Sequence, residues 1–125
     1  MPSPTQRYGY AQEERAERHL VGLGYVIVER NWSGGGAEVD RIAWDGDVLC
    51  FVEVRARRRS DFGRPEQTVG KAKQRHLVRA AMAYLCRFPS NKPPMVRFDV
   101  VSVSDPRGEE EATVVVFENA FDAGR

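Results

Sequence analysis

Two runs, AEVDRIAW at 37–44 and DVLCFVEVRA at 47–56, flank the dipeptide Asp45-Gly46. No other stretch constrains the fold as tightly, because Asp-Gly between strand-like runs is the strongest short-range signal for a β-hairpin with a two-residue turn. With Asp45-Gly46 as the turn, Trp44 pairs with Asp47, Glu38 lies opposite Glu53, and Asp40 lies opposite Phe51. Side chains alternate along a strand and opposed residues share a face, so Glu38, Asp40, Glu53 and Arg55 project from one side. Asp40 and Glu53 are then diagonal neighbours, roughly 7 to 8 Å apart at the backbone. The other side carries Val39, Ala43, Val48, Cys50, Val52 and Val54, an apolar layer interrupted by Arg41.

Around this hairpin the periodicity predicts a helix from about Thr5 to Leu23, with Ala16, Leu20 and Leu23 on one side, Thr5 as N-cap and Gly24 as a stop. A strand over Tyr25 to Arg30 follows. After the hairpin comes a basic loop, Arg57 to Pro65. A second helix spans about Gln67 to Arg87, where Val69, Ala72, Leu77, Ala80, Ala81, Tyr84 and Leu85 form a wide apolar stripe. Pro89, Pro93 and Pro94 end it. MVRFDVVSV and ATVVVFE supply two more strands around the turn Asp105-Pro106-Arg107-Gly108. The order α-β-β-β-α-β-β gives an α/β fold, a mixed β-sheet flanked by helices. At 125 residues it fits one domain over 1–125.

The chain is 42% hydrophobic and 30% charged, which excludes disordered and fibrous classes. No apolar run approaches the roughly 20 residues of a membrane span. The N-terminus has no apolar signal-peptide core, and Cys50 and Cys86 lack ligand spacing, so the cytoplasm is the expected compartment. Net charge is only +1, but between Arg55 and Arg79 nine cations face only Asp61 and Glu66. Such a run attracts phosphate backbones, or else is a solvated face balanced by acids folded beside it.

Three carboxylates on one small patch, Glu38, Asp40 and Glu53, repel one another unless something cationic sits among them. A divalent metal is the sharp explanation. The competing one is a solvated sheet face on which Glu53 and Arg55 form a surface pair worth about 0–1 kcal/mol.

Several further matches, in order, carry a resemblance: GYAQEERA at 9–16, Gly24-Tyr25, Glu29-Arg30-Asn31, AEVDRIAWDGD, FVEVRAR, Lys73, Tyr84-Leu85, RFDVV from Arg97, and Asn119-Ala120-Phe121. Through them the chain resembles the YraN-type uncharacterised bacterial family, whose fold is similar to that of the PD-(D/E)xK restriction-endonuclease-like superfamily and of Holliday-junction resolvases. The resemblance implies a nuclease-like protein that binds or hydrolyses DNA. It gives Glu13 the role of the helix-borne acid, Asp40 and Glu53 those of the strand acids, and Glu38 that of the Glu in a Gly-Glu-Ile-Asp run. Magnesium or manganese is the implied cofactor, held by Asp40 and Glu53 with Glu38, since magnesium takes oxygen ligands and keeps several waters. The main-chain carbonyl of Val54 would complete the protein's share.

Where the family has lysine, position 55 is Arg, which can clamp a phosphate but stays charged and cannot act as a base. Gln12, Ala37 and Arg41 also depart from the family pattern. The departures keep a second reading open, a non-catalytic nucleic-acid or protein adaptor of the same fold. A structural protein with no nucleic-acid partner is a third class. The expected phosphate contacts are Arg57, Arg58, Arg59, Lys71 and Lys73, and both monomer and homodimer stay open. Lys73 could reach the sheet face from its helix or extend to solvent. His19 and His76 have no second ligand at metal spacing. Trp32 and Trp44 read as core, and Asp99 as a partner for Arg97 or a helix residue.

Overall fold

The chain is described by a computed structural model over residues 3–57, 69–104 and 113–121, with Thr5 and Arg57 by main chain only. Helix α1 (Pro4–Gly22) begins at Ser3, whose hydroxyl accepts the Gln6 N–H at 3.1 Å while the Gln6 side chain accepts the Ser3 N–H at 2.8 Å. This reciprocal pair satisfies two donors that a helix start leaves open. The cap is Ser3 and not Thr5, because Pro4, with no N–H to lose, suits the first helical position. Gln12, Ala16 and Leu20, spaced by four, make the buried stripe, whereas Leu23 caps the C-terminus and is 58% exposed.

Among the described residues five strands form one sheet in sequence order: β1 (Val26–Gly34), β2 (Ala37–Asp45), β3 (Val48–Arg57), β4 (Met95–Ser104) and β5 (Thr113–Phe117). Neighbours are antiparallel except β3 and β4, which run parallel and are joined through helix α2 (Lys71–Leu85). A parallel pair needs such a crossover. The element order is the one expected. β1 runs on past Arg30 to Gly34, and α2 starts after Gly70, whose extended conformation makes it the N-cap, while the expected start at Gln67 lies outside the described residues. The expected turn at Asp105–Gly108 lies outside the described residues.

The helices cover opposite faces. Ala43, Cys50, Val52, Val101 and Val103 pack with Ala16 and Leu20 of α1, while Ile42, Leu49, Phe51, Phe98 and Val100 pack with Leu77, Ala80, Ala81 and Tyr84 of α2. Trp32 and Trp44 are partly buried against the second cluster, as expected of core aromatics. Because both faces are covered, β2, β3 and β4 are apolar on both sides where they cross the centre.

The hairpin turn is Gly46-Asp47, not Asp45-Gly46. Trp44 pairs with Leu49 and Asp45 with Val48. Gly46 takes φ 60 as the first loop residue, a conformation open to glycine in tight hairpins. Asp45 stays in the strand, its carboxylate 2.9 Å from Nη2 of Arg97 on β4. The shift is by two residues, so parity survives while the partners change. Asp40 sits one step past the last registered pair, Arg41↔Val52, and no longer faces Phe51; Glu38 pairs with Ser33 of β1 and not with Glu53.

Strict alternation also breaks at this point. Arg30 reaches Glu17 of α1, yet Trp32, two residues on, packs edge-on to Tyr84 of α2 with centroids 5.1 Å apart. Asn31 between them has φ 49, and the β1–β2 register omits both Asn31 and Asp40. Val39 accordingly joins the α2-side cluster and leaves the layer of Ala43 and Cys50 where alternation had put it. The β1–β2 turn is tied down at Gly35 (φ 62), where a Cβ would sit 2.9 Å from the Arg79 carbonyl oxygen of α2.

Candidate functional site

Beyond Arg41↔Val52 the strands β2 and β3 part, while β3 stays paired with β4 through Arg57↔Ser104. The parting leaves the Val54 N–H without a ladder partner on the β2 side, and Oδ2 of Asp40 accepts it at 2.8 Å. That bond fixes one Asp40 oxygen on the main chain next to Glu53. Glu53 itself is only 4% exposed. Its Oε2 lies 3.6 Å from Nη1 of Arg55 and its Oε1 3.6 Å from Nζ of Lys73, which projects from the first turn of α2. These distances are ion contacts and too long for hydrogen bonds. Oε1 is buried with no hydrogen-bond partner.

Burial, and after it repulsion from Asp40, pushes the Glu53 carboxyl up to about 7, against the pull of Lys73 and Arg55. Glu13, on the face of α1 that looks toward β2, is raised as well, first by burial and then by Asp40, with Glu38 adding a smaller push and Arg41 opposing them. The acids therefore sense one another across the parted strands. They do not converge equally. Glu38 is exposed and lines a shallow groove with Ser33, Gly34, Gly36 and Ala37 at the β1–β2 turn. Among the described residues no three His, Cys, Asp or Glu side chains form a group that could hold an ion by themselves.

The pair that suits a magnesium ion is Asp40 with Glu53. One offers a buried oxygen with no hydrogen bond, the other an oxygen besides the one bound to Val54, and magnesium is commonly held by one or two carboxylates completed by water and phosphate.

The model of the uncharacterised protein family UPF0102 matches residues 12–103. The chain belongs to that family. A UPF0102 protein of Myxococcus xanthus is 44% identical over 123 residues, covering 98% of this chain and 95% of its own length. One from Symbiobacterium thermophilum is 44% identical over 119 residues, covering 95% and 99%, and one from Desulfosudis oleivorans is 42% identical over 123, covering 98% and 96%. The matched UPF0102 segment contains Glu13, Glu38, Asp40, Glu53, Arg55, Lys71 and Lys73. Among the described residues, no helix is long and apolar enough to cross a membrane.

In this UPF0102 chain the structure brings Asp40, Glu53, Arg55 and Lys73 together, sets Glu13 across the strand from them and leaves Glu38 at the rim. Lys71 is exposed at the start of α2. The Arg57 side chain, Arg58 and Arg59 lie outside the described residues. Sequence reasoning missed the part played by Arg41, which is 4% exposed and contacts Glu13, Glu17 and the Asp40 carbonyl. Its signal was present: a cation breaking an apolar layer, with two acids one helical turn apart on α1 to receive it.

A carboxyl whose folded pKa exceeds its ordinary value favours folding while protonated, and that contribution is lost as pH rises through the folded value. For Glu53 the loss falls between about pH 4.5 and 7. Glu53→Gln should therefore raise stability at pH 8 by about 1–3 kcal/mol and change it little at pH 4.5. Urea denaturation of both proteins at the two pH values, without added metal, checks this. A Gln variant no more stable than wild type at pH 8 would show that ionised Glu53 carries no such penalty.

Proposed function

We propose that this protein is nuclease-like: it binds DNA and hydrolyses phosphodiester bonds with a divalent metal held by Asp40 and Glu53, assisted by Glu13 and Glu38. The observation that carries the reading is the buried, unbonded Oε1 of Glu53 beside Asp40, with two cationic side chains 3.6 Å from its oxygens. Burying a carboxylate oxygen without a hydrogen bond is costly, so a protein that keeps one has a use for that oxygen. Bound magnesium or manganese would acidify a water and stabilise charge on the phosphoryl oxygens.

The chain's own groups do the rest. Asp40 is fixed through the Val54 N–H, Glu53 is shielded from solvent, and Lys73 and Arg55 stand where a phosphate approaching Glu53 would meet positive charge. Lys71 and the basic run Arg57, Arg58, Arg59 extend that charge along the sequence and would track the backbone, giving salt-dependent binding with little sequence preference. A second reading, a non-catalytic adaptor of the same fold, is favoured by one feature: Arg55 cannot give up a proton.

Calorimetric titration with magnesium and manganese, together with binding and cleavage assays on single-stranded, duplex and four-way DNA, tests the proposal. The wild type should bind metal and lose that binding in Asp40→Ala and in Glu53→Ala. DNA affinity should fall between low and physiological salt. Absence of metal binding in the wild type sinks the metal reading, and absence of DNA binding at low salt removes nucleic acid as the partner. Binding of both with no cleavage on any of the three DNA forms leaves the adaptor.

A further inference from the structure

Strand β2 sets Arg41 between Ala43 and the break at Asp40, under α1, with 4% of its surface exposed. A buried guanidinium stays charged and has to be met by acceptors. Here Nε donates to Oε1 of Glu17 at 2.7 Å, and Nη1 donates both to the Asp40 carbonyl at 2.7 Å and to Oε1 of Glu13 at 3.2 Å. Glu17 is held from outside too, its two oxygens each 2.8 Å from nitrogens of Arg30. One end of the Arg41 fork is thereby anchored, and the other end is presented to Glu13 and to the main chain that carries Asp40. An apolar side chain at position 41 would fill the layer but would remove the hydrogen bond that ties Glu13 to β2.

We propose that Arg41 is a positioning residue for the divalent-cation site, holding the Glu13 carboxylate of α1 at the Asp40 end of β2, an inference that rests on the metal reading of Asp40 and Glu53. Arg41 touches neither metal nor substrate in this role. The sign of its effect separates positioning from charge. A cation near a carboxylate cluster repels a divalent ion, so deleting Arg41 would tighten metal binding if charge were all that mattered. Loss of a supporting contact acts the other way, typically weakening metal affinity 10–100-fold.

The test is manganese affinity by calorimetry, well below the melting temperature, for the wild type, Arg41→Met, Arg41→Lys, Glu13→Gln and Glu13→Gln combined with Arg41→Met. Arg41→Met should weaken manganese binding about tenfold or more, and Arg41→Lys, which keeps the charge without the planar fork, should recover only part of it. In the Glu13→Gln background the same Arg41→Met change should cost nothing further, a coupling that a general loss of stability would not produce. Unchanged or tighter binding in Arg41→Met overturns the assignment, and so does an equal loss with and without Glu13. If Arg41→Met fails to fold, Arg41→Lys in both backgrounds carries the same comparison. A wild type that binds no manganese is a different failure, that of the metal reading, and it removes this assignment with it.

Discussion

Asp99→Ala should cost about 3–5 kcal/mol of folding stability, the loss typical of removing one partner from a buried charge pair. Asp99 is 1% exposed at the centre of β4. Its Oδ1 takes Nε of Arg97 and the Asn119 N–H, each at 2.9 Å, and its Oδ2 takes Nη2 of Arg97 at 3.0 Å and the Tyr25 hydroxyl at 3.1 Å. Four donors from three parts of the chain thus end on one carboxylate. Truncation takes away the acceptor of all four, and the Arg97 side chain, only 17% exposed, is left with the Tyr25 hydroxyl, Asp45 and the more exposed Glu118. Against a total stability of about 5–15 kcal/mol, such a loss puts a large part of the population at risk of unfolding. Urea denaturation at pH 7 measures it, and a loss under about 1 kcal/mol would mean that the network is ornamental to the fold.

The second large effect is expected at position 55. If Asp40 and Glu53 hold the metal, wild-type cleavage should be slow, because a guanidinium cannot exchange a proton near neutral pH. Arg55→Lys should raise the rate by about 10²-fold or more, the scale of a positioned proton-transfer group, and adding Glu53→Ala should abolish the gain. The structure supplies a rival for the role. Lys73 stands as close to one Glu53 oxygen as Arg55 does to the other, 3.6 Å in each case. Robust wild-type cleavage that vanishes in Lys73→Ala would therefore assign the ammonium to α2 and acquit Arg55. Metal binding with no cleavage by wild type or Arg55→Lys on any DNA form would end the enzyme reading.

The order of elements was legible in the sequence because each depends on local periodicity, a spacing of four along α1 and apolar runs bounded by turn residues along the strands. The turn was placed one residue early because Asp45-Gly46 and Gly46-Asp47 are both good two-residue loops. What separates them is Arg97, 52 positions away, gripping Asp45. The facing of Asp40 was legible only as far as alternation holds. The register set by the Gly46-Asp47 turn continues to Asp40 opposite Glu53, where the Asp45-Gly46 turn would have made the two diagonal neighbours, and Asn31 at positive φ and the end of the β2–β3 ladder at Arg41 are tertiary events that no local signal marks. Arg41 read as a flaw in an apolar layer for the same reason, since its three acceptors are two α1 side chains and one main-chain carbonyl of β2. Lys73 was visible as a candidate, but only the docking of α2 distinguishes reaching Glu53 from reaching solvent.

The parallel seam between β3 and β4 also has a consequence for how the chain comes into being. Val48 pairs with Met95, so the edge of β3 waits for a partner made 47 residues later. At about 5–20 residues per second, a ribosome leaves that edge open for a few seconds after the three-stranded N-terminal meander has emerged. Long-range pairing of this kind forms slowly, and an apolar strand edge exposed meanwhile invites contact with other nascent chains. Asp47 before the run Val48–Val54 and Arg55 and Arg57 after it are charges well placed to discourage such contact. The same arginine that sits against Glu53 in the finished sheet would then have served first as a gatekeeper during synthesis.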